Sequence, residues 1–236
     1  MFKAILEVIK FVEPDEIIHI GDLMDYPQPS RWTKGTREEF EGNIYSASEA
    51  AKKAILEPLR DVFDGPIGVH EGNHDMRPRL YLEKYAPALS QTDMLNFENL
   101  LDFDGFGITR LPDFYNVAAG WITTHGHLGG IRLNQNAGMT ALNGAKRIGK
   151  NIIMGHTHRA GVSSFTQGIE GQTNTITGVE VGHILNPKAV TYLRGASGNW
   201  QQGFALLEID KNNVTPRILP VLGNKVIVDG VVFPTR

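Results

Sequence analysis

Two carboxylates, Asp22 and Asp25, stand directly after the apolar run Ile17–Ile20 and the glycine at 21. That run reads as a buried strand of a parallel sheet. The carboxylates then fall at a strand's carboxyl end, the edge at which open α/β sheets bind ligands. Aspartates also serve in ordinary turns, and the pair alone does not separate the two roles. Repetition does. Pro66–His70 breaks into Gly72-Asn73-His74-Asp75, Gly120–Thr124 breaks into His125-Gly126-His127, and Asn151–Met154 breaks into Gly155-His156-Thr157-His158. Five of the eight histidines (His74, His125, His127, His156 and His158) lie in these breaks. Turn chemistry accounts for Asp and Asn but not for this concentration of imidazole. Carboxylate, amide and imidazole together are a ligand set for divalent Mn, Fe, Ni or Zn, and convergent polar clusters of this kind mark sites.

The elements that must position these residues follow from periodicity. Phe2, Ile5, Leu6, Ile9 and Val12 fall at helical spacing and predict an amphipathic helix ending before Pro14. Ser46 with Glu49 reads as a capping box opening a helix that runs to about Phe63. Short helices are expected over 80–89 and 94–101, an irregular connection over 103–110, and two short strands around Ala119-Gly120. Leu133–Lys150 is helical in pattern. Inside it, Gly144–Lys150 fits the phosphate-loop spacing, but it precedes a strand rather than following one, and Asn151 stands where Ser or Thr is required. The Gly- and Thr-rich segment 159–192 predicts hairpins and loops, and 204–209, 217–221 and 226–233 read as closing strands with turn signals at Asn224 and Asp229-Gly230. No repeat, low-complexity stretch or linker divides the chain. The expectation is one α/β domain over 1–236, built as two sheets with flanking helices, with a leading strand missing before the first helix.

The chain has 236 residues with 41% hydrophobic composition, enough for a sizeable core. A net charge of -3 lacks the basic balance of a dedicated nucleic-acid binder. There is no cysteine, so thiolate sites and disulfides are excluded and the ligands must be oxygen and nitrogen. No apolar run reaches membrane-spanning length, and Lys3, Glu7 and Lys10 interrupt any signal-peptide pattern. A cytoplasmic protein without membrane partners is the expectation.

The ordered motifs Gly-Asp-x-x-Asp, Gly-Asn-His-Asp, His-Gly-His and Gly-His-x-His, spanning Asp22 to His158, resemble the calcineurin-like metallophosphoesterases. The resemblance implies a two-sheet sandwich that holds two divalent ions, Mn foremost and Fe, Ni, Zn or Mg as alternatives. Such ions sit about 3.5–4 Å apart and activate a bridging water. It implies that Asp22 bridges both ions, that Asn73, His125 and His156 complete one shell, and that His158 serves the other. His74 would protonate the leaving alkoxide, Asp25 would orient His74, and Asp75 would be structural. His156 and His158 would face one side by the alternation of an extended segment. Arg77 and Arg79 follow closely enough to hold phosphate oxygens. His127 reads equally as support for a ligand or as a turn residue, His19 and His70 read as core, and His183 has no role in the pattern.

The family's opening Asp-x-His has no counterpart here. The chain as given is therefore expected to hold one ion well and the second poorly, and to be weakly active. Tyr26-Pro27 after the first motif, and Asp75 after Gly-Asn-His, depart from the protein-phosphatase branch. The leading expectation is thus a phosphoesterase acting on a phosphodiester or phosphomonoester. A DNA nuclease using Arg31, Lys34, Arg77 and Arg79 is the alternative, and a metal-binding remnant or structural protein is the non-enzymatic one.

Overall fold

The computed structural model describes residues 1–186 and 198–235. The part of the hairpin-and-loop segment beyond residue 186 lies outside the described residues. The protein is mixed α/β and divides into two compact units: Ile9–Pro112, and Met1–Val8 together with Asp113–Arg236. The division falls inside helix α1 (Phe2–Val12), whose bounds match the amphipathic pattern and which buries Ala4, Val8 and Ile9.

The 9–112 unit contains a parallel sheet of three short strands, β1 (Ile17–His19), β2 (Ile67–Val69) and β3 (Ile108–Arg110), in that order. β2 is central and fully buried, whereas β1 lies at the edge of this sheet and is only half-buried. The apolar run at Ile17–Ile20 is therefore a parallel strand, as expected, but not one covered on all sides. The connection expected to be irregular over 103–110 is irregular through residue 107 and then forms β3. Three residues ending in Thr109 and Arg110 carry too little apolar pattern to announce a strand; pairing with β2 supplies what propensity does not. The core gathers Met24, Tyr26, Leu56, Ile67, Val69 and Ile108 around the edge-to-face pair Phe97–Phe103, with ring centroids 5.0 Å apart.

The helix expected from Ser46 starts two residues earlier. Asn43 is the N-cap, its side chain accepting from the backbone N–H of Tyr45 and Ser46, and α2 covers Ile44–Ala51. A wider π turn at Lys52–Leu56 then leads into α3 (Glu57–Arg60). Pro58 explains the change, since it has no N–H to bond the carbonyl of Ala54. α4 (Arg77–Tyr85) and α5 (Phe97–Leu100) complete the unit.

The second unit carries a five-stranded mixed sheet. Its strands are β4 (Tyr115–Ala118), β5 (Trp121–Thr124), β6 (Asn151–Met154), β7 (Ala160–Ile169) and β8 (Gln172–Val181), in the order β4-β5-β6-β8-β7. β5, β6 and β8 are mutually parallel neighbours, and β4 and β7 pair antiparallel at the edges. Alternation along β6 divides the two faces. Ile152 and Met154 pack with Ala141, Leu142 and Ala145 of helix α6 (Met139–Ile148), while Ile153 packs with Trp121 and Val179, against which Leu207, Val214 and Ile218 lie. The last three come from the hairpin of β9 (Gly203–Asp210) and β10 (Asn213–Pro220). A second hairpin, β11 (Lys225–Val228) with β12 (Val231–Pro234), turns at Asp229-Gly230, where both residues have positive φ.

Gly144–Lys150 is no phosphate loop, since it runs from the interior of α6 through the C-cap Gly149 to the residue before β6. α6 is held against β8 in two ways. A Cβ on Gly178 would overlap the backbone of Leu142, so only glycine permits this approach. Glu180, fully buried, accepts from the N–H of Gly138 at 2.9 Å and of Thr140 at 3.1 Å, placing its charge on the helix N-terminus. Glu180→Ala would leave two buried donors unpaired, and urea unfolding should report a loss of about 3 kcal/mol; a loss below about 0.5 kcal/mol would show that the carboxylate is dispensable.

Candidate functional site

Each of the four motif breaks begins within three residues of the carboxyl end of a strand. Asp22 and Asn73 follow the neighbours β1 and β2; His125 and His156 follow the neighbours β5 and β6.

In the 9–112 unit the loops after β1 and β2 are stitched together. Asp75, 1% exposed, accepts from the N–H of Met24 through Oδ1 and from that of Gly72 through Oδ2, both at 2.8 Å. The Asp22 carboxylate accepts from the N–H of His74 at 2.9 Å. Asp22 has φ 53, a left-handed conformation that costs free energy outside glycine. A Cβ on Gly72 would overlap both the carboxylate and the backbone nitrogen of Asp22, so the two loops approach as closely as a glycine allows. Tyr26 is buried beneath, its hydroxyl 2.7 Å from Ser48 Oγ; burial is the main reason its pKa is pushed up to about 12.

His74 Nδ1 lies 2.5 Å from Asp25 Oδ1, and Arg77 donates to the same oxygen at 2.8 Å and to the Asp25 carbonyl at 2.6 Å. Arg77 Nη2 is 3.3 Å from His74 Nε2. A guanidinium can only donate and an ionised carboxylate can only accept. His74 is thereby assigned the tautomer with its proton on Nδ1 and a lone pair on Nε2. Arg79 is committed elsewhere: it donates to the carbonyls of Ser90 and Thr92 and pairs with Glu83. Lys34 is also engaged, donating to Tyr81 and paired with Glu39.

In the 1–8 and 113–236 unit the imidazoles gather. The ring of His125, buried, lies 5.1 Å from that of His156 and 5.2 Å from that of His127. His158 packs instead with His183, ring centroids 5.5 Å apart, and edge-on to Trp200 at 4.5 Å. Alternation in an extended segment is not what presents His156 and His158. Both are left-handed, with φ 62 and 59, and the turn sends their rings into different neighbourhoods. His70 is buried, as expected, and His19 Nδ1 accepts from the N–H of Gly21. His183 and Trp200 are the residues that sequence reasoning passed over. A signal for His183 was present, since Val179-Glu180-Val181 breaks into Gly182-His183 in the manner of the other four segments. Burial, and secondarily the neighbouring His158, press the His183 pKa down to about 4.

These features define a mixed α/β protein whose parallel strands end in carboxylate, amide and imidazole. The chain is 54% identical over 232 residues to the Gene 54 protein of Mycobacterium phage D29 and 53% identical over 232 residues to that of Mycobacterium phage L5, covering 98% of this chain and 91% of each relative. It belongs to the family of these mycobacteriophage Gene 54 proteins. No family model matches the chain, and no solved structure matches it.

The Asp25 carboxyl is held below the usual carboxylate range, chiefly by the His74 hydrogen bond, against the opposing effect of burial and with further help from Arg77. For a depressed carboxylate, the stabilisation is present above the ordinary Asp pKa of about 3.9 and is lost as pH falls through the lower folded-state value. A carbon-13 NMR titration of the side-chain carboxyls should therefore show Asp25 ionised below the range of a free aspartate, and His74→Ala should move it upward. An unchanged Asp25 titration in that variant would separate the two groups.

Proposed function

We propose that the protein is a metal-dependent phosphoesterase hydrolysing a phosphodiester, with the two-sheet architecture of the calcineurin-like metallophosphoesterases that its motifs resemble. The observation that carries this reading is the arrangement of His74: one ring nitrogen is bound by Asp25, and its own backbone N–H is bound by Asp22. A histidine whose ring is oriented by a carboxylate is suited to proton transfer.

The donor chemistry fits divalent ions. The residues that would hold them are Asp22, Asn73, His125, His156 and His158, all oxygen or nitrogen donors. When bound, such ions supply Lewis acidity to the phosphoryl oxygens and lower the pKa of an attacking water. The side chains do the remainder. The Asp25 carboxylate keeps the His74 Nδ1 proton in place and stabilises the ring when it becomes cationic. His74 Nε2, once protonated, gives its proton to the leaving alkoxide oxygen. Arg77 donates towards Nε2 here and must release it for that step; a phosphate oxygen is the natural competitor for its guanidinium. Arg79, spent on two carbonyls and Glu83, is not assigned a substrate role.

A nucleic-acid phosphodiester is the second reading. Trp32, 74% exposed on the segment after Asp25, carries the Arg31 guanidinium 4.5 Å from its ring centroid, a surface on which a base can stack. Parallel assays on bis-p-nitrophenyl phosphate and on single-stranded DNA distinguish the readings; hydrolysis of neither in the presence of Mn²⁺ would refute both.

His74→Ala should lower turnover by about 10²–10⁴-fold, the range typical of general acid–base groups, while metal content measured by mass spectrometry stays at the wild-type level. Loss of bound metal in that variant, or wild-type turnover, would remove His74 from the role of proton donor.

A further inference from the structure

We propose that His183 is a metal ligand that acts with His158, giving the protein an imidazole pair that the motif pattern does not contain. The inference rests on the reading of His158 as a ligand and extends the set to a residue outside the four motifs.

Sheet topology is the first argument. β5, β6 and β8 are successive parallel neighbours, so their carboxyl ends lie along one edge. β5 runs into His125, β6 into Gly155-His156 and β8 into Gly182-His183. Three adjacent strands thus end in histidine at the edge where α/β sheets bind ligands.

Local stitching is the second. The N–H of Gln201 donates to the carbonyl of His158, the N–H of Gly182 to that of Arg159, and the N–H of His183 to that of Gln201. The N–H of Gly203 returns to the carbonyl of His183. These backbone bonds tie three distant segments of sequence together, and the rings of His158, His183 and Trp200 lie as one group beside them.

Spacing is the third. Two imidazoles bound to one ion at about 2.0–2.1 Å, with tetrahedral angles, place their ring centroids about 5 Å apart. His158 and His183 stand at 5.5 Å. His125 and His156, which the motif pattern does assign to one ion, stand at 5.1 Å. Finally, His183 Nδ1 is buried with no hydrogen-bond partner among the described residues. Buried polar nitrogens almost always have one, and an orphan calls for an explanation; a bound cation provides it. A second imidazole also shifts the preferred cofactor. Nitrogen-rich sites select Zn, Ni, Co or Fe over Mg, which prefers oxygen.

The test is a Co²⁺ titration of the metal-free full chain, followed by equilibrium dialysis with mass-spectrometric counting and by the visible ligand-field spectrum. His183→Ala should weaken one class of Co²⁺ site by at least about tenfold and change the spectrum, since it removes a nitrogen donor. His158→Ala should affect the same class, and the double variant should be little worse than either alone, because the two residues would share one ion. Circular dichroism checks the fold, and His183→Gln, which keeps bulk and polarity, carries the test if the alanine variant does not fold. Wild-type stoichiometry, affinity and spectrum in a folded His183 variant would overturn the inference. A wild-type chain that binds no Co²⁺ would overturn it together with the metal reading. Co²⁺ binding that depends on His183 in a chain without phosphodiesterase activity would uphold this inference and sink the phosphoesterase reading instead.

Discussion

The buried carboxylate of Asp75 is the interaction on which the 9–112 unit's candidate residues depend. It has one oxygen on the N–H of Met24 and the other on the N–H of Gly72, so it joins the loop after β1 to the loop after β2. Those loops carry Asp22, Asp25, Asn73 and His74. A charged side chain is costly to bury unless both oxygens are satisfied, and here two backbone donors that would otherwise be orphaned are satisfied at the same time. The strain follows from the same constraint. Asp22 is held left-handed, and Gly72 has no room for a side chain, because the loops have been drawn together around one carboxylate. Asp75 touches none of the proposed chemistry, yet it decides where Asp22 and His74 can be.

The second unit solves a related problem with different means. Its histidines follow the parallel strands β5, β6 and β8, and the packing that fixes those strands comes from α6 on one face and the β9–β10 hairpin on the other. Glu180 and Gly178 on β8 set the seat of α6, one by charge on the helix N-terminus and the other by permitting contact at backbone distance. Rings of His125, His127 and His156 gather in one place and those of His158 and His183 in another, and the left-handed turns at His156 and His158 separate the two groups. A left-handed residue other than glycine costs free energy and persists only where the surrounding structure holds it.

The sequence by itself determined where strands stop and polar residues begin. Apolar runs that break into Gly with Asp, Asn or His located all four motif turns, because a packed strand and a polar loop need opposite chemistry and the switch between them is abrupt. It determined α1 by 3.6-residue periodicity, the paired strands around Ala119-Gly120, and the false phosphate loop by its order in the chain. What only the tertiary structure decided were relations between segments. β3 exists because β2 offers it a partner, not because Ile108-Thr109-Arg110 announces a strand. Arg79, read from the sequence as a phosphate ligand, is consumed by two carbonyls and a carboxylate that lie close only after folding. His183 follows the same strand-then-glycine pattern as the other motifs, yet its pairing with His158 depends on β8 lying beside β6. Hydrogen bonds between residues far apart in the chain set that register, and one-dimensional spacing cannot encode it.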